Sequence, residues 1–239
     1  SGGQDLTVTT AFDNEVLTIN ASTAEGDLNL QTGTGDMTVT LGSGSDVVVA
    51  QNGDNNISGG EGDDAITSGT GDDTLTGGAG ADTIIGGTGA DEIDAGAGDD
   101  LVQFAAAADL TAATVAGGDD ADTVEITTDD EDLVDADFAG VTGVETLSLA
   151  DTGVTSVTVV LGTNAAAAGI ANITVGDTDG AGDFTSIDSE VIAALAVDAT
   201  AMGVTDDESL VLINTGTAGT VQTAFTVAGA DGDVDASGT

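Results

Sequence analysis

"GGEGDDAITSGTGDDTLTGGAGADTIIGGTGADEIDAGAGDDLVQ", residues 59–103, repeats with a period of nine. Written as G-G-x-G-x-D-x-U-x, with U a large aliphatic residue, the unit begins at Gly59, Ser68, Gly77, Gly86 and Ala95. Its sixth positions are Asp64, Asp73, Asp82, Asp91 and Asp100, and its eighth are Ile66, Leu75, Ile84, Ile93 and Val102. The register extends backwards without a gap. The unit at Leu41 supplies Gly42, Gly44, Asp46 and Val48, whereas the unit at Ala50 keeps Gly53 and Ile57 but places Asn55 at the sixth position. The units at Thr32 and Thr23 keep Gly35, Val39, Gly26 and Leu30 but carry Met37 and Leu28 at the sixth. The apolar repeat therefore starts near residue 23, before the acidic one.

This spacing predicts an all-β fold, a parallel β-solenoid. Only x-U-x is left between glycine-rich turns, and the residues flanking the aliphatic one face the opposite way. Two short strands and two turns close one coil. Coils stacked about 4.8 Å apart merge the eighth-position side chains into a single apolar core. One unit cannot bury its face alone, but a stack can. Glycine is required where a turn enters positive φ and where backbone carbonyls crowd together.

Stacking also brings sixth-position carboxylates of alternate units together. Two such groups repel unless a cation lies between them. A ligand set of carboxylates plus backbone carbonyls suits Ca²⁺ better than Mg²⁺, which demands a tight octahedron and keeps its waters.

The composition also calls for a cation. The chain has 239 residues, with no Lys, Arg or His against 44 Asp plus Glu, a formal net charge of −44. A compact body so charged repels itself unless positive charge comes from outside the chain. Yet 40% of residues are hydrophobic, unlike disordered acidic segments. Without His, Cys, Lys or Tyr the usual catalytic bases and nucleophiles are missing. No two of the acids are set apart as a glycosidase pair, so the expectation is a protein that is not an enzyme. Zinc and iron–sulfur sites lack ligands, and nucleic acid would be repelled. No apolar run is long enough to span a bilayer. The chain opens at Ser1 and closes on "AGADGDVDASGT", which reads as a processed or excised piece of something longer.

The nonapeptide resembles the RTX, or haemolysin-type, calcium-binding repeat, most specifically over residues 41–103. That resemblance implies a right-handed β-roll. Each calcium would take carbonyls at the second and fourth positions and the sixth-position Asp of one turn. The next turn on the same side would add carbonyls at its first and third positions and its own Asp. One implied site joins Gly60, Gly62 and Asp64 to Gly77, Ala79 and Asp82. A second joins Gly69, Gly71 and Asp73 to Gly86, Thr88 and Asp91. A third joins Gly78, Gly80 and Asp82 to Ala95, Ala97 and Asp100. A fourth, at the N-terminal edge, joins Gly42, Gly44 and Asp46 to Gly59, Glu61 and Asp64. Asn55 departs from the pattern where it would pair with Asp73.

Beyond the run, "GGDDADTVE" from Gly117 places Asp122 at a sixth position, but out of register and with Asp120 where a glycine belongs. Its stacked neighbour is not identifiable from the sequence. The intervening "FAAAADLTAATVA" reads as a short helix or an inserted loop. "DTDGAGDFTSID", from Asp177, offers Asp177, Asp179 and Asp183 as either an ordinary acidic turn or a calcium loop. "TTDDEDLVDAD" reads as a solvated acidic loop, with weak cation association as the alternative, and "SEVIAALAVDA", capped by Ser189, as a helix.

Residues 104–239 lose the period but keep strand-like stretches such as "TVEIT" and "NITVG", fitting continued solenoid coils or a second, sandwich-like β domain. The division expected is 1–103 as the β-roll and 104–239 as this β-rich region. "DFAGVTGVETLSLAD", residues 137–151, downstream of "GGDDADTVEI", is similar to a segment of bacterial surface-layer proteins of the Caulobacter type. The two resemblances imply a secreted structural protein at the bacterial cell surface. Type I secretion would export the chain unfolded, external calcium would fold it, and self-association would build a layer or filament. The alternative is an accessory RTX module of a larger secreted enzyme or adhesin.

Overall fold

A three-residue strand has no stability of its own, so each coil depends on the ones above and below it. The computed structural model describes residues 6–8, 17–127, 132–151, 157–177, 184–189, 195–201, 209–214, 225–228 and 233–238. They fall into two compact units. Unit 1 comprises residues 1–104 and 112–123, and unit 2 comprises residues 105–111 and 124–239.

In unit 1 the strands are β1 (Leu6–Val8), β2 (Leu17–Asn20), β3 (Leu28–Gln31), β4 (Met37–Thr40), β5 (Val47–Val49) and β6 (Asn56–Glu61). They continue as β7 (Ala65–Thr67), β8 (Thr74–Ala79), β9 (Thr83–Ile85), β10 (Glu92–Ala97), β11 (Leu101–Phe104) and β12 (Thr114–Asp119). Odd strands pair only with odd and even only with even, every pairing parallel. This is the β-solenoid that the nine-residue period predicts.

Register follows the repeat. Ile57 lies over Leu75 and Ile66 over Ile84, 18 residues apart. These eighth-position side chains, with Val48, Ile93 and Val102, are at most 2% exposed and form the core. Each burial of this kind stabilises the coil by about 1.5–3 kcal/mol. One coil is longer: Ile93 pairs with Val115, a step of 22. The extra chain is taken up around helix α1 (Ala107–Ala112), so the inserted segment is helical.

The turns show why glycine recurs. Gly78 has φ +127°, and a Cβ on it would overlap the Gly60 carbonyl of the coil below. Gly78→Ala is therefore expected to cost more than about 1 kcal/mol, measured as a rightward shift of calcium-dependent folding. Asp120, at a fourth position, is the one non-glycine with positive φ among the described residues, at +79°. Asp tolerates that region better than most side chains.

Unit 2 is also parallel. Its strands are β13 (Thr123–Ile126), β14 (Val141–Thr142), β15 (Thr146–Asp151), β16 (Val157–Leu161) and β17 (Asn172–Asp177). They continue as β18 (Phe184–Ser189), β19 (Leu195–Ala201), β20 (Ser209–Asn214), β21 (Phe225–Ala228) and β22 (Asp233–Gly238). Strands β15, β17, β19 and β21 form one parallel ladder, and β16, β18, β20 and β22 another. All-parallel pairing fits solenoid coils rather than an antiparallel sandwich.

Two expectations are corrected here. The helix expected from Ser189 is not found over the described residues: Ser189 ends β18 and Leu195–Ala201 is strand β19, paired on both sides. Ladder hydrogen bonds outweigh the local helix preference of Ala and Leu. The acidic run is not merely solvated either. Asp135 Oδ1 accepts the backbone N–H groups of Gly162, Asn164 and Ala165 at 2.8–3.0 Å, holding the start of helix α2 (Thr163–Ala168). Asp137 is buried and accepts the Thr111 hydroxyl and the Val134 N–H, both at 2.8 Å.

Candidate metal centre

Each sixth-position side chain follows a glycine-rich bend and precedes a strand whose next residue but one is in the core. Its carboxylate is thereby turned inward, between coils. Asp46, Asp64, Asp73, Asp82, Asp91, Asp100 and Asp122 are all no more than 3% exposed. In each, Oδ1 accepts the backbone N–H of the sixth-position residue one coil earlier. Asp46 N–H donates to Asp64 and Asp64 N–H to Asp82, each at 2.8 Å, and Asp82 N–H donates to Asp100 at 2.7 Å. Asp73 N–H donates to Asp91 at 3.0 Å, and Leu28 N–H opens the row by donating to Asp46 at 2.7 Å.

The same ladder resolves Asp122. Asp100 N–H donates to Asp122 Oδ1 at 3.0 Å, and Gly96 pairs with Gly118. The longer coil restores the register that the sequence had lost, making Asp100 the neighbour of Asp122. The complementary turn residues are Gly96 and Gly98 below, with Gly117 and Asp119 above.

The second oxygen of these carboxylates sets the chemistry. Oδ2 of Asp46, Asp64, Asp73, Asp82 and Asp100 is buried and has no hydrogen-bond partner. An orphaned anionic oxygen is expensive to bury. Burial is the main cause that pushes Asp64 up to about 7, with the like charges of Asp82, Asp46 and Asp63 adding to it. Asp100 is pushed up to about 6, and Asp46, Asp73 and Asp82 are raised, again chiefly by burial.

Backbone oxygens converge on the same places. A Cβ on Gly59 would overlap Asp64 Oδ2 and lie 2.7 Å from the Gly77 carbonyl. On Gly77 it would overlap both Asp82 Oδ2 and the Ala95 carbonyl. These first-position glycines leave a cradle bordered by a carboxylate and a carbonyl of the next coil. The third-position carbonyls are fixed by fourth-position N–H groups: Gly44 donates to Glu61 at 3.0 Å, Gly62 to Ala79 at 2.7 Å and Gly80 to Ala97 at 2.8 Å. On the other side Gly71 donates to Thr88 at 3.0 Å. Each carbonyl retains a second lone pair.

The four implied groupings are thus brought together by the coil register, and Asp100 with Asp122 makes a fifth pair. Among the described residues no cluster of three ligating side chains is present. A cation would have to be held by two carboxylates and carbonyls. That donor set is hard and oxygen-only, as Ca²⁺ requires. When bound, the ion would supply the positive charge between the facing carboxylates that the chain itself lacks.

The two sides of the stack differ. One carries Asp46, Asp64, Asp82, Asp100 and Asp122 in succession. The other reads Met37, Asn55, Asp73 and Asp91, and then Ala113, which precedes Thr114 in the coil paired above Glu92. Only Asp73 with Asp91 makes a two-carboxylate pair there. At that pair the Ser68 hydroxyl donates to the Gly86 carbonyl.

A second ladder escaped the sequence reading. Fifth-position acids Asp27, Asp36, Asp54, Asp63, Asp72 and Asp99 are exposed, and each Oδ1 accepts an N–H from the following coil at 2.9–3.0 Å. It runs opposite in sense to the inner one. Acids recurring at the fifth position were its signal. Of the remaining candidates, Asp177 ends β17, and the segment is flanked by strands rather than helices. Asp179 and Asp183 lie outside the described residues.

The RTX calcium-binding nonapeptide repeat model, four copies long, matches residues 40–75, 67–102 and 76–109. No curated protein and no solved structure matches the chain. The Asp100–Asp122 pair reaches past the matched residues. Repeats of this kind bind calcium and are typical of secreted proteins, and the buried carboxylates fit that role. The coils within residues 40–109, which carry most of the carboxylate pairs, thus match the RTX calcium-binding nonapeptide repeat.

Proposed function

We propose that this protein is a non-enzymatic structural segment of a bacterial surface layer or surface filament, secreted unfolded and folded by external calcium. The observation that carries the reading is the row of facing, buried carboxylates with orphaned oxygens inside a chain of net charge −44. Without cations, burial and the like charges of the facing carboxylates both work against the stacking of neighbouring coils. With them, binding free energy becomes folding free energy. Within each unit, taken by itself, the strands pair in parallel, a repetitive solenoid architecture that supports a structural role. The likeness of residues 137–151 to surface-layer proteins of the Caulobacter type points the same way. Among the described residues no helix is long and apolar enough to cross a membrane.

A second reading is an accessory RTX module of a larger secreted enzyme or adhesin, favoured by the confinement of the repeat match to residues 40–109. Light scattering and negative-stain microscopy of the purified chain, with calcium added stepwise, separate the two. Sheets or filaments support the structural role. A folded monomer at saturating calcium and high protein concentration overturns it in favour of the module.

A further inference from the structure

Asn55 occupies the place of a sixth-position acid, and its backbone behaves like one: its N–H donates to Asp73 Oδ1 at 2.7 Å. Its side chain does something no carboxylate can. Nδ2 donates to the Gly53 carbonyl at 2.9 Å and to the Ser68 carbonyl at 3.3 Å. Gly53 holds the fourth position of its own turn, and Ser68 the first position of the next turn on that side. The Ser68 carbonyl corresponds to the first-position carbonyls of Gly77 and Ala95, which border the carboxylates at the two-carboxylate pairs, and the Gly53 carbonyl to the fourth-position carbonyls that the repeat resemblance implies as ligands.

Asn55 is 2% exposed, and its Oδ1 is buried without a partner. The opposite amide orientation would aim that oxygen at two carbonyl oxygens, a repulsive arrangement unless a cation intervened. The pair also holds only one carboxylate, so the charge that calls for an ion elsewhere is halved.

We propose that the Asn55–Asp73 turn pair is a metal-free position, in which the Asn55 amide clamps by hydrogen bonds the carbonyls that a calcium ion gathers at the other pairs. The proposal rests on the calcium reading of those pairs. It makes Asp73 a ligand of one ion, shared with Asp91, whereas Asp82 serves two, shared with Asp64 and Asp100. The calcium row on that side then begins at Asp73, and the coils at Asn55 are joined without an ion.

The test is a count of bound calcium on the full chain, by equilibrium dialysis and atomic emission at saturating calcium, with circular dichroism verifying folding. Asp82→Ala is expected to lose two ions per chain and Asp73→Ala one. Asn55→Asp, which restores the facing carboxylate, is expected to gain one. A loss of two ions from Asp73→Ala, or an unchanged count in Asn55→Asp, overturns the proposal. A wild-type chain that holds no calcium at all overturns instead the calcium reading on which it rests.

Discussion

Asp82→Ala is expected to raise the calcium concentration needed for folding far more than Asp46→Ala does. Asp82 faces Asp64 on one side and Asp100 on the other, joined through backbone N–H bonds of 2.8 and 2.7 Å. Asp46 faces a carboxylate only above it, because Leu28 holds the position below. A site filled at a hundred times its dissociation constant contributes about 2.7 kcal/mol of folding stability. Losing two sites therefore costs about 5 kcal/mol, comparable to the whole stability of a small domain, whereas losing one costs about half that. Calcium titrations of the two variants followed by far-UV circular dichroism read the difference. Equal midpoints would show that Asp82 does not bridge two ions.

In calcium-depleted buffer, acidification is expected to restore part of the fold that calcium provides. Asp64 and Asp100 have folded-state values of about 7 and 6, against 3.8 for an ordinary Asp, chiefly because burial disfavours their charged forms. The folded chain thus binds more protons than the unfolded chain between those values. Its stability is fully present below about pH 4 and is lost as pH rises through 6 to 7. Protonation also removes the repulsion between facing carboxylates such as Asp64 and Asp82. The calcium-free chain should show more β signal at pH 5.5 than at pH 8. In saturating calcium the sign reverses, because protons then compete with the ion for the same oxygens. A calcium-free chain whose structure does not change between those pH values would mean that these carboxylates do not limit its folding.

The solenoid and most of its carboxylate pairs were legible because they are periodic. A three-residue strand around one aliphatic residue, with Asp two places earlier, leaves little choice of which side chain enters the core. Asp122 was not assignable, because periodicity cannot count how much chain α1 removes from a coil; only the pairing of Ile93 with Val115 fixes it. Asp135 was read as a solvated acid because its partners at Gly162, Asn164 and Ala165 lie far along the chain. The stretch from Ser189 to Ala199 looked helical because propensity is local, whereas the pairing of strand Leu195–Ala201 with β17 and β21 is not. At Asn55 the sequence showed a departure, and the structure shows its amide donating to the Gly53 and Ser68 carbonyls.

The most direct measurement of the central claim is the far-UV circular dichroism of the full chain at pH 8, first with EDTA and then with calcium in excess. A spectrum that loses most of its β signal in EDTA and regains it with calcium is the result this account predicts. A β-rich spectrum that persists unchanged in EDTA would contradict it, because the facing carboxylates would then be tolerated without an ion.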